Sequence, residues 1–164
     1  AKREALATQD KTTLIGYEGM ASNAYFEVLP VLILNQKADF PFHGRNRRPP
    51  KDAVNAMLSF AYTLIANDTS AALETVGLDP YVGFLHTLRP GRTSLALDMM
   101  EELRAYLGDR FVLSLINKRQ ITSKDFLFQG DNGVVMTDKG KKTFISAWQA
   151  RKREVIIHPY LNEK

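Results

Sequence analysis

Val54, Met57, Leu58, Ala61, Leu64 and Ile65 recur at steps of three and four, which draws one apolar stripe along a helix and fits neither face of a strand. A chain built around such a helix has to cover its stripe with further elements, and the flanking sequence supplies them mainly as helices. Leu14, Tyr17, Ala21, Tyr25 and Leu29 carry the same spacing, so a first helix is predicted from about Lys2 to Leu34, kinked or divided at Pro30. Pro41, Gly44, Pro49 and Pro50 make residues 38–50 a loop, and Pro50, Lys51 and Asp52 open the second helix. Asp68 and Thr69 suit the cap of a separate short helix to Val76, which Gly77 ends. After the turn at Arg89-Pro90-Gly91-Arg92, Thr93 or Ser94 caps a long helix to about Lys118 that Gly108 can break. Phe126–Phe128 and Val134–Met136, joined through Gly130-Asp131-Asn132-Gly133, read as a hairpin. Thr137 caps a last helix to about Ile157, before Pro159. The expected architecture is mainly α, a helical bundle with one small β-hairpin near the C-terminus, in one domain over residues 1–164.

The chain has no cysteine, which excludes disulfides and thiolate metal sites. No apolar run approaches the roughly 18 residues that span a bilayer, and no signal-peptide pattern opens the sequence, so a soluble, cytoplasmic protein with no membrane partner is expected. The net charge of +4 is uneven: residues 118–164 hold 10 Lys and Arg against 5 Asp and Glu, whereas residues 1–117 hold 12 against 13. Basic clusters at Arg45 to Lys51, Lys139 to Lys142 and Arg151 to Arg153 are candidate phosphate contacts or plain solvated surface.

Asp98, Glu101 and Glu102 depart from a simple core-and-surface pattern. They share a helix with an expected apolar face of Leu95, Met99, Leu103 and Tyr106, and Asp98 and Glu101 lie roughly 60° apart on its flank. Like charges so close repel one another unless a cation relieves them, and Arg104 and Arg110 are available to do so. On that basis, neutralising Asp98 should leave metal-free stability unchanged or slightly raised. His86 precedes Asp98 by twelve residues across a loop that can fold it back. An imidazole with carboxylates suits Mn²⁺ or Mg²⁺ better than zinc. Glu18 stands between Gly16 and Gly19 inside a helix, a costly arrangement that close approach of a ligand or backbone would explain. His43 and His158 are weaker candidates.

These stretches together resemble the catalytic domain of the CRISPR-associated protein Cas one family, the integrases of spacer acquisition. The resemblance rests on Glu18-Gly19-Met20-Ala21 with Tyr25-Phe26, on Phe42 to Asp52, and on Val54 to Tyr62. It continues through Gly77 to His86 and Ser94 to Glu102, in order over nearly the whole chain. It implies a divalent-metal-dependent DNA endonuclease and integrase that joins captured DNA to the CRISPR array by transesterification. Glu18, His86 and Asp98 are the implied metal ligands and catalytic residues for Mg²⁺ or Mn²⁺, with Glu101 as a supporting acid. Arg45, Arg47, Arg48 and Lys51 are candidate DNA-backbone contacts, with Arg89 and Arg92 nearer the metal. The implied partners are DNA, a second copy in the full-length protein and the small companion protein Cas two. The family's N-terminal β-rich domain has no counterpart in these 164 residues. The alternative is a helical nucleic-acid-binding module without turnover.

Overall fold

The computed structural model describes Ala5 and residues 10–155. At its centre is α2 (Ala53–Thr75), begun by Asp52, whose carboxylate accepts from the Asn55 amide at 2.7 Å. Val54, Met57, Leu58, Ala61 and Ile65 are buried along it, as the spacing predicts. The separate short helix expected after Asp68 does not form, because α2 runs on to Thr75. Asp68 does not cap: its carboxylate accepts from Trp148 Nε1 at 3.2 Å and from Lys152 Nζ at 3.0 Å, so it is committed to a distant helix.

Helix α1 (Lys11–Val28) is capped by Asp10, which accepts from the Thr13 amide at 2.8 Å. The expected beginning at Lys2 lies outside the described residues. Pro30 divides the segment as expected, and Leu29–Leu32 continue as a single 3-10 turn. Within α1 only Phe26 is buried, with Leu29 just beyond, so most of the predicted stripe is not core. The helix docks through its C-terminal end, while at the other end Lys11 Nζ donates to the Phe84 carbonyl at 3.1 Å.

Helix α3 (Ser94–Leu103) passes through a π-helical turn (Arg104–Asp109) into α4 (Arg110–Asn117). Gly108 therefore widens the helix where a break was expected. A Cβ at Gly108 would come 2.9 Å from Tyr62 Cε1, so the missing side chain lets this turn lie against α2. Neither Thr93 nor Ser94 caps α3 with its side chain: the Ser94 hydroxyl donates to the Thr87 carbonyl at 3.1 Å. Strands β1 (Phe126–Phe128) and β2 (Val134–Met136) form the antiparallel hairpin, with Phe126 opposite Met136.

Helix α5 (Asp138–Lys152) is capped by Thr137, and Phe144 and Trp148 point inward as predicted. Phe111 meets both rings edge to face, at 5.1 Å from Phe144 and 5.4 Å from Trp148. Of the residues expected to face solvent or DNA, Arg151 is half-buried and stacks over Tyr106 at 4.7 Å, while Lys152 is exposed and reaches Asp68. The expected end near Ile157, with His158 and Pro159, lies outside the described residues. The chain is thus mainly helical with one hairpin, and no described helix is long and apolar enough to cross a membrane.

Candidate catalytic and metal site

The loop before α3 and the first turns of α3 meet around Asp98. The buried positions of α3 are Ser94, Ala96, Asp98 and Met100, whereas Met99, from the expected apolar face, is exposed. Asp98 points inward because it has donors there. Oδ2 accepts from the amides of Phe84 at 2.6 Å and Leu85 at 2.9 Å. Oδ1 accepts from the His86 amide at 2.8 Å and lies 2.6 Å from His86 Nδ1. Three consecutive loop amides and one imidazole therefore converge on a carboxylate whose side chain is 0% exposed. Gly83 lets the loop come this close, since a Cβ there would meet Asp98 Oδ2 and Ser94 at 2.7 Å. Burial raises the Asp98 pKa, but the amides of Leu85 and His86, the His86 side chain and the Phe84 amide outweigh it, leaving the group below its ordinary value. An ionised Asp98 needs a donor at Nδ1, so in its neutral form the imidazole carries its proton there and leaves the Nε2 lone pair for another partner.

One turn on, Glu101 is half-buried and has a different environment. Burial raises its pKa; Arg104 opposes this, Glu18 adds to it, and His86 and Arg47 oppose it. Glu18 on α1 and His86 on the loop thus each act electrostatically on Glu101 of α3. Among the described residues, no three His, Asp or Glu side chains are gathered tightly enough to hold an ion. Arg104, three residues after Glu101, forms an ion pair with it at 2.6 Å, one of the two cations expected to offset the acidic cluster. Arg110 instead stacks over Tyr106 at 5.0 Å.

The arginines divide into two groups. Arg45 turns inward, donating to the Asn46 carbonyl, to Asn55 Oδ1 at 2.9 Å and to Ser59 Oγ at 3.0 Å, and lies over the Tyr62 ring. Its donors are mostly committed to holding the loop on α2, so it is not available to DNA in the way expected from sequence. Arg47, Arg48, Lys51 and Arg89 are exposed and Arg92 is half-buried. His43 is exposed on the same loop.

Sequence reasoning missed Asp109, which is buried in the π-helical turn, accepts from the hydroxyl of Tyr62 and lies near that of Tyr25. Its pKa is raised, with burial the largest cause. Tyr25 follows Glu18 by two helical turns, so Asp109 lies beside the helix that carries Glu18. No local signal marks Asp109, because its partners come from two other helices.

This fold is shared with solved structures. A CAS1 protein from Thermotoga maritima superposes with a TM-score of 0.86 at 31% identity, covering 95% of this chain and 49% of that one. A casposase bound to integration product gives 0.82 at 27% identity, covering 93% and 43%. The sequence of residues 1–150 matches the family described as CRISPR associated protein Cas1, and the chain belongs to that family. A CRISPR-associated endonuclease Cas1 of Chlorobaculum tepidum is 54% identical over 155 residues, covering 94% of this chain and 45% of the relative. The chain spans about half the length of the curated relatives it matches.

Proposed function

We propose that this chain is the catalytic part of a DNA endonuclease and integrase in which Glu18, His86 and Glu101 hold one divalent cation while Asp98 orients His86. The observation that carries this reading is the His86–Asp98 pair. A carboxylate on one ring nitrogen fixes the tautomer and aims the other nitrogen outward, the usual support of a metal-bound imidazole. Asp98 thus moves from the ligand role implied by the resemblance to a supporting one, because both its oxygens already accept from buried donors. Glu101 takes its place as ligand: it is partly accessible, one turn further on, and its charge sits against that of Glu18. Two carboxylates and one imidazole are a donor set suited to Mg²⁺ or Mn²⁺. When bound, such a cation polarises a phosphodiester and favours the ionised form of an attacking hydroxyl or water.

The chain's own groups then have distinct tasks. His86 keeps a lone pair available because Asp98 holds the ring proton, and the clamp on residues 84–86 prevents the imidazole from swinging away. Arg47, exposed and with a charge that reaches Glu101, would meet a DNA phosphate. Attack by a 3′-hydroxyl joins strands and attack by water cuts them, so both outcomes use one arrangement of residues. Family membership extends the reading to a homodimer acting on DNA with the companion protein Cas two.

The test is cleavage and strand joining of labelled DNA by the complete protein with Mg²⁺ or Mn²⁺. Glu18→Gln, His86→Ala and Glu101→Gln are each expected to lose at least about 100-fold in rate while still binding DNA. Parent-like turnover by all three would leave a binding module in place of an enzyme. DNA affinity should also fall steeply with salt. The Arg47→Ala, Arg48→Ala double variant should flatten the log–log slope by about one for each phosphate it no longer neutralises. An unchanged slope would remove this loop from the interface.

A further inference from the structure

Both oxygens of Glu101 face one guanidinium: Arg104 Nη1 lies 2.8 Å from Oε1 and 2.6 Å from Oε2. This pair sits at the edge of the site, with side-chain exposures of 15% for Arg104 and 30% for Glu101. A carboxylate covered in this way offers a poor seat to a metal ion, in keeping with the absence of a closed ligand cluster among the described residues.

Arg104 also rests on an aromatic surface. Its guanidinium carbon lies 5.5 Å from the centre of the Tyr62 ring, and that of Arg45 lies 5.2 Å from the same ring. The Tyr62 hydroxyl donates to buried Asp109, which anchors the ring and leaves it richer in electrons and better able to hold cations. A ring face attracts a cation without dictating where its N–H groups point, so the guanidinium can turn on Tyr62 while remaining seated. Arg45, Arg47 and Arg104 lie close enough to influence one another's neighbourhood, with Arg45 and Arg104 acting directly on each other. Once a divalent cation takes Glu101, Arg104 loses its carboxylate and the positive charge here is in surplus. A phosphodiester is the anion that this surface, beside this site, would attract.

We propose that Arg104 is a positioning residue with two alternative partners: it holds Glu101 when DNA is absent and turns to a DNA phosphate when DNA binds, releasing Glu101 to the cation. The proposal rests on the assignment of Glu101 as a ligand. Its consequence is that DNA and the divalent cation bind cooperatively, each raising the affinity of the other by the same factor.

Mn²⁺ binding to the complete protein tests this directly, measured by loss of the free-ion electron paramagnetic resonance signal. Titrations are run alone and with a DNA duplex bearing single-stranded ends, after subtracting Mn²⁺ taken up by the DNA itself. The parent is expected to bind Mn²⁺ about fivefold more tightly with DNA, the effect of removing one partly exposed ion pair. Arg104→Gln should show the tighter affinity without DNA and gain little when DNA is added. Arg104→Lys, which keeps the charge, should recover much of the DNA response. Weak DNA-free binding with a full DNA response in Arg104→Gln would overturn the proposal. Parent-like Mn²⁺ binding by Glu101→Gln would instead overturn the ligand assignment, and the proposal with it.

Discussion

Trp148→Ala is expected to destabilise the protein by about 3–5 kcal/mol, the usual cost of removing a large aromatic side chain from a packed core. Trp148 is 2% exposed, and its ring lies edge to face with Phe111, which in turn meets Phe144. The indole also donates to Asp68, so truncation opens a cavity and takes the indole N–H away from that carboxylate, leaving it Lys152. Trp148→Phe keeps part of the ring packing and loses the hydrogen bond and some buried volume, so a smaller loss of about 1–3 kcal/mol is expected. Chemical denaturation of parent and variants would check both values. A near-neutral Trp148→Ala would show that α5 does not close the core as described.

The second large effect is expected at Asp98, and it reverses the expectation drawn from charge spacing alone. Repulsion within the acidic cluster suggested that Asp98→Asn would leave stability unchanged or raise it. With four donors converging on a buried carboxylate, an amide nitrogen in place of one oxygen faces N–H groups it cannot accept from. The variant should therefore lose about 2–3 kcal/mol and loosen the loop that carries His86. The pH dependence follows from the lowered pKa of Asp98 in the folded state. Its contribution to stability is fully present above the unfolded value, near 3.8, and is lost as pH falls through the lower folded value. Acid denaturation of Asp98→Asn should accordingly show a flatter low-pH limb than the parent. Equal stability at neutral pH and identical acid limbs would contradict the clamp.

Much of the fold was legible because it depends on local spacing. The stripe of α2, the glycine-rich turn of the hairpin, and Phe144 and Trp148 four residues apart all follow from periodicity and turn chemistry. What was not legible depends on partners distant in sequence. Asp68 looked like a cap because its donors, Trp148 and Lys152, lie about eighty residues away. Asp98 looked like a residue on the flank of its helix because spacing cannot show that a loop folds three amides onto it. Glu101 was visible as an acid one turn later, yet only the burial of Asp98 distinguishes the two. Arg45 looked like any other member of a basic loop, whereas Asn55 and Ser59 hold it against α2.

In the proposed site Glu18, His86 and Glu101 hold the cation, with Asp98 behind His86. The most direct measurement is an anomalous-scattering map from crystals of the complete protein grown with Mn²⁺. One peak is expected at about 2.0–2.3 Å from His86 Nε2 and from a carboxylate oxygen each of Glu18 and Glu101, with Asp98 still bonded to His86 Nδ1. A peak coordinated directly by Asp98, with Glu101 still paired to Arg104, would contradict this assignment.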